Sequence, residues 1–177
     1  MASDPQGWVD EIHALFRTFR ITLVSHVPDA GHQRLIELCQ GDPSIRTVTL
    51  TTEEEGVALA AGAHLGGVRS ALLIQSSGVG NCINMLSLPH VCRLPLFALV
   101  TMRGEWAEFN PWQVPMGQST RAVLEASGVT VFRAETASDV GPTVEGALQL
   151  ALQSRRRVAV LLSQRLLGAK RFIEAPR

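Results

Sequence analysis

Residues 46–80 read RTVTLTTEEEGVALAAGAHLGGVRSALLIQSSGVG and decide the architecture. A β-rich run at 46–50 leads through three glutamates, Glu53, Glu54 and Glu55, into an apolar small-residue helical pattern at 54–65. A second run, 70–75, is continuously apolar and closes on serines and glycines. Continuous apolar character marks a strand covered on both faces. Strand, helix and strand in this order make a parallel βαβ unit.

The same alternation continues outward. Residues 21–27, 94–101, 129–133 and 157–163 read as further strands, and 7–19, 31–39, 80–91, 119–127 and 138–153 as helices. The expected fold is α/β, a three-layer α/β/α arrangement around a parallel sheet of about six strands. One domain is expected, with its core at about 8–163 and a polar tail at 164–177.

Composition narrows the function classes. Among 177 residues, 46% are hydrophobic and 18% charged, which fits a globular chain. Sixteen basic and sixteen acidic side chains cancel, giving no electrostatic reason to expect nucleic acid or an anionic membrane as partner. No apolar run is long enough to span a bilayer, and the first residues lack a basic region followed by an apolar stretch, so a cytoplasmic location is expected. Cys39, Cys82 and Cys92 are scattered without metal-ligand spacing and read as core thiols.

Parallel sheets bind ligands outside the carboxyl ends of their strands. Four polar, glycine-rich segments fall there: SHVPDAGH after the first strand, TTEEEG after the second, SSGVGN after the third and MRGEWAEFNPWQVPMGQ after the fourth. In SSGVGN, small residues permit close backbone approach to a ligand, and the following helix offers free N–H groups. It is neither a P-loop nor a dinucleotide fingerprint. A tight strand-to-helix turn is the other reading.

Taken together, these segments resemble the pyrimidine-binding domain of thiamine diphosphate (ThDP) decarboxylases. In that family a glutamate lies nine residues before the glycine ending the small-residue helix, and counting back from Gly62 selects Glu53. Ser77, Gly78 and Gly80 match the family's serine–glycine turn, and Val27-Pro28-Asp29 and Arg103-Gly104 also fit. The likeness spans residues 8–162. Within the family the chain is similar to phosphonopyruvate decarboxylase and to the alpha subunit of sulfopyruvate decarboxylase, the latter built from separate short subunits.

The resemblance implies that Glu53 is catalytic, binding N1′ of the cofactor's aminopyrimidine and favouring the imino tautomer that deprotonates the thiazolium. An enclosed apolar setting would favour such proton sharing. Glu54 and Glu55 read as first-turn charges favourable to the helix dipole. Ser77, Gly78 and Gly80 are the further cofactor-binding candidates.

The family also holds Mg²⁺ and the diphosphate through a Gly-Asp-Gly segment in a second domain. This chain has no such segment, since Gly41-Asp42-Pro43-Ser44 precedes a strand, so no metal ligand is assigned. A separate beta subunit is expected to supply Mg²⁺ and the diphosphate contacts, leaving this chain inert alone; self-association of like chains is also compatible. The implied reaction is decarboxylation of sulfopyruvate to sulfoacetaldehyde. Phosphonopyruvate or another 3-substituted pyruvate is the alternative substrate, and a non-catalytic binding or scaffold module the alternative of a different class.

Substrate contacts are candidates only. His26 stands where the wider family has glycine and is placed to donate to substrate, or to serve structurally. Asp29 is a candidate to orient a proton donor, while Ala30 departs from the Ser or Asp of relatives. Asn81 reads as a helix cap ahead of a substrate contact. Arg103 suits a sulfonate or phosphonate, or else pairs with Glu105. Residues 105–118 read as a lid or partner contact, with Gln113 and Gln118 as polar contributors and Trp106, Phe109 and Trp112 as interface packing. His13, His32 and His64 read as surface or packing residues, and His90 as structural.

Overall fold

The computed structural model describes residues 7–169. Six strands form one parallel sheet: β1 (Leu23–His26), β2 (Arg46–Thr49), β3 (Ser70–Gln75), β4 (Leu96–Thr101), β5 (Thr130–Ala134) and β6 (Arg157–Leu162), in the spatial order β2-β1-β3-β4-β6-β5. Period-two alternation sorts their side chains. Leu73, Phe97, Leu99, Val158 and Val160 pack beneath one face. Leu72, Ile74, Ala98, Val100, Ala159 and Leu161 pack beneath the other.

Helices α1 (Gly7–Thr18), α2 (Gln33–Gly41) and α7 (Ala137–Leu152) cover the first face. Helices α3 (Glu53–Leu65), α4 (Ser76–Cys82) and α6 (Val114–Ala126) cover the second. This division follows from crossover geometry. The connections through α2 and α7 step one way along the sheet, and those through α3, α4 and α6 step the other. Crossovers of one hand that move in opposite directions must lie on opposite faces. The chain leaves β1 toward β2 and returns to β3 on the other flank, so the strand order reverses between β1 and β3. That crevice, at the carboxyl ends of the two strands, is where such sheets bind ligands.

Three stretches differ from expectation. Residues 76–79 are not a turn ahead of a helix beginning at 80: β3 runs directly into α4, and a separate α5 (Ser87–Val91) follows. Pro89 lacks the N–H that an unbroken helix would need there, which divides the expected helix 80–91. Residues 105–118 are not a long lid either. A 3₁₀ turn at Pro111–Gln113 leads into α6, which starts five residues ahead of the expected 119. Pro111 and Pro115 stand in first-turn positions that tolerate proline. The tail begins with a helical turn, α8 (Gln164–Leu167), whose Ser163 Oγ accepts from Leu166 N–H at 3.1 Å. Most of the polar tail lies outside the described residues.

Cys39 and Cys82 are buried, and burial pushes both thiols up to about 12; Cys92 is exposed, not a core thiol. No helix among the described residues is long and apolar enough to cross a membrane.

Candidate active site

The glutamate triplet divides its labour. Glu55 reaches back, its Oε2 accepting from Thr51 N–H at 2.8 Å and closing the first turn of α3. Glu54 is exposed. Glu53, half-buried, turns toward α4 and lies against the bare face of Gly78. A Cβ built on Gly78 would fall 2.4 Å from Glu53 Oε1 and Cδ, so only glycine leaves room for this carboxylate. Its Oε2 accepts from Asn81 Nδ2 at 2.7 Å. Asn81 therefore does not cap a helix: it stands inside α4, whose N-cap position is Gln75. Gly80 faces Met116 of α6, with a built Cβ 3.2 Å from the sulfur.

A second cluster joins the ends of β1, β3 and β4. Asp29 Oδ1 accepts from Gln75 Nε2 at 2.8 Å and Oδ2 from Thr101 Oγ1 at 2.6 Å. Gln75 Oε1 in turn accepts from Ser77 Oγ at 2.9 Å. Burial pushes the Asp29 carboxyl up, but the His32 ring and the donors Thr101, Gln75 and Gly31 N–H pull it below the usual aspartate range. Burial drives the His32 imidazole below its ordinary value, against the opposing pull of the Asp29 charge and of the Ile74 and Leu99 carbonyls. His32 is a buried N-cap residue, not a surface one, with Nε2 between the carbonyl oxygens of Ile74 (3.2 Å) and Leu99 (3.1 Å). Two acceptors there place the ring proton on Nε2.

His26 closes β1, buried to 3% exposure, with Nε2 3.4 Å from Thr49 Oγ1 and Nδ1 buried without a hydrogen-bond partner. Burial lowers its pKa. Gln113 Oε1 is likewise buried and unpartnered. Such orphaned atoms are uncommon in a finished interior and mark where a ligand could complete the bonding.

Arg103 does not pair with Glu105. Its Nε and Nη2 donate to the two oxygens of Glu108 at 2.6 and 2.5 Å, while Glu105 takes Arg133 Nη1 and Nη2 at 2.9 and 2.7 Å. The Arg103 hydrogen bonds are the chief reason the Glu108 carboxyl falls to about 2, aided by N–H donors from Asn110 and Gly104 and by Gln164 Nε2. Gln164 is buried, and its Oε1 accepts from the N–H groups of Glu105 (3.1 Å) and Trp106 (3.0 Å). The loop after β4 is thus pinned to α8. Gly104, at φ +76°, lets the carbonyl of Gln113 approach where a Cβ would stand 2.1 Å away. Gln118 is exposed on α6, as are Trp106, Phe109 and Trp112 near the site.

Glu53, Ser77, Gly78 and Asn81 therefore form one cluster around the start of α4, to which Gln75 links Asp29. His26 lies on the neighbouring strand end, and Arg103 sits beyond β4. Gln75, Thr101, Glu108, Gln164 and the buried position of His32 were not selected from sequence. Gln75 and Thr101 did carry a signal, as single polar residues closing apolar strands. Glu108 and Gln164 stand 56 positions apart and carry none.

No protein-family model matches the chain. The alpha subunit of sulfopyruvate decarboxylase from Methanococcus maripaludis is 34% identical over 143 residues, covering 80% of this chain and 86% of that protein. The phosphonopyruvate decarboxylase of Streptomyces viridochromogenes is 39% identical over 107 residues, and the match covers 59% of this chain but only 27% of that longer protein. Among solved structures, the 2-oxoglutarate:ferredoxin oxidoreductase of Magnetococcus marinus superposes with a TM-score of 0.74 at 17% identity, over 90% of this chain and 29% of that one. That likeness shows the fold alone. By identity and coverage together, the chain belongs to the family of sulfopyruvate decarboxylase alpha subunits.

Proposed function

We propose that this chain is the alpha subunit of a cytoplasmic, ThDP-dependent carboxy-lyase that converts sulfopyruvate to sulfoacetaldehyde and CO₂, with Glu53 as the residue that serves the cofactor. The observation that carries this reading is the seat of Glu53. A carboxylate at the sheet's carboxyl edge lies against a glycine that leaves it room and is held by a neutral amide. The residues present fit the aminopyrimidine half of ThDP: a half-buried carboxylate seated against the bare face of Gly78 in the small first turn of α4.

When bound, ThDP supplies the electron sink that lets a 2-oxo acid lose its carboxylate. Glu53 shares a proton with the ring nitrogen N1′. Ser77, Gly78 and Gly80 stand in the first turns of α4 and would be the residues that hold the ring. His26, neutral and with Nδ1 free of protein partners, is assigned a polar contact to the oxo acid. Asp29 is a clamped carboxylate that stays ionised near pH 7 and orients neighbouring donors. Asn81 and Gln113 complete the polar rim. Arg103 keeps only Nη1 outside its pair with Glu108, and that is the part of the guanidinium assigned to a sulfonate.

Mg²⁺ and the diphosphate are assigned to a separate beta subunit, in keeping with the relatives' designation as alpha subunits. Phosphonopyruvate is the second candidate substrate, favoured by the 39% identity to decarboxylases named for it. The test is to assemble the chain with its partner subunit, ThDP and Mg²⁺, and to measure CO₂ release from both oxo acids. A higher kcat/KM for sulfopyruvate is expected; preference for phosphonopyruvate would reassign the substrate, and no release from either would refute a decarboxylase.

A further inference from the structure

We propose that Asn81 is the positioning residue for Glu53, an assignment that rests on the function proposed above and adds a second residue to its working part. Asn81 Nδ2 lies 2.7 Å from Glu53 Oε2. Among the described residues no other hydrogen bond or ion pair reaches that carboxylate. A glutamate side chain has three rotatable bonds, and confining it has an entropic cost that some contact must offset. Two contacts do so here. The bare backbone at Gly78 backs Oε1, and Asn81, three positions further on the same side of α4, takes Oε2. Oε1 is left without a hydrogen-bond partner among the described residues.

The type of residue matters as much as its place. Asparagine is a poor interior helix former, so local propensity does not explain it in the seven-residue α4. A lysine or arginine at position 81 would hold Glu53 ionised, and an aspartate would oppose its ionisation. An amide anchors the oxygen without adding charge. It also carries both a donor and an acceptor, so it can follow the carboxyl group in either protonation state. A group that must give and take a proton needs such a partner.

The test uses the assembled enzyme with Asn81→Ala, Asn81→Asp, Asn81→Lys and Asn81→Gln, alongside Glu53→Gln. Loss of one hydrogen bond to a charged group corresponds to about a tenfold fall in kcat for Asn81→Ala. Asn81→Asp and Asn81→Lys should fall at least as far, while KM for the oxo acid stays nearly constant. Affinity for ThDP, read without substrate from tryptophan fluorescence, should weaken several-fold in Asn81→Ala. Asn81→Gln, with the same amide on a longer arm, should recover part of both. Wild-type kcat and ThDP affinity in the Ala, Asp and Lys variants together would overturn the assignment. If Glu53→Gln collapses turnover while those variants are silent, Asn81 alone is wrong. If Glu53→Gln is fully active, the reading of Glu53 fails and takes Asn81 with it.

Discussion

Arg103 and Glu108 form a two-point ion pair, Nε to Oε2 at 2.6 Å and Nη2 to Oε1 at 2.5 Å, with side chains only 10% and 3% exposed. The pair closes a tight loop directly after β4. Because its charges are desolvated, removing one partner leaves the other uncompensated. Glu108→Gln should therefore cost roughly 3 kcal/mol, a fall of roughly 6–12 °C in Tm for a chain of this size. Acid should mimic the substitution. The folded carboxyl titrates at about 2 against an ordinary 4.5, so its contribution is present above pH 4.5 and is lost as pH falls from there toward 2. Thermal melts of wild type and variant across that window should converge.

Gln164 holds the same loop from α8. In Gln164→Leu the N–H groups of Glu105 and Trp106 lose their acceptor, at about 1–3 kcal/mol for a buried unsatisfied group. Their amide hydrogen exchange should accelerate by about tenfold or more. Unchanged exchange at both positions would mean that the loop is held by Glu108 alone.

Gly78→Ala should separate stability from activity. Alanine is favoured over glycine inside a helix by about 1 kcal/mol, and the atoms that meet its Cβ (Cγ, Cδ and Oε1) all belong to the movable side chain of Glu53. The melting temperature should hold or rise while turnover falls by an order of magnitude or more. A fully active Gly78→Ala enzyme would show that Glu53 works from another position.

The buried histidine sets a different pH dependence. His32 stays neutral in the fold because burial lowers its pKa, whereas the unfolded imidazole takes a proton near pH 6.5. Its contribution is therefore full above about pH 6.5 and declines as pH falls, by at most about 1.4 kcal/mol per unit. His26 adds to the same trend. Replacing His32 by Asn should lower Tm at pH 8 and flatten the slope between pH 6.5 and 5. A slope as steep as that of wild type would place the titration elsewhere.

Much of this was legible in sequence because the signals are local. All six strands were found, β3 to the residue, since fully apolar runs of that length between turn signals have few other readings. The resemblance to the decarboxylase family, through its nine-residue spacing to Gly62, singles out Glu53 from three adjacent glutamates, and the structure turns that one toward Gly78 while Glu55 closes the helix turn. Helix starts were less legible. Pro111 and Pro115 look like breakers and are first-turn residues, and Ser76 to Val79 look like a turn ahead of a helix starting at 80 and lie inside α4. Partner choice was least legible. Arg103 takes Glu108 over Glu105 because Arg133, thirty positions on, is brought by β5 to within 2.7 Å of Glu105.

The most direct test of the account replaces Glu53 by Gln in the complex with the partner subunit, ThDP and Mg²⁺, and follows CO₂ release from sulfopyruvate. The account predicts that the complex still assembles and that release falls by about two orders of magnitude or more, as loss of general acid–base catalysis entails. Turnover equal to that of wild type would contradict it.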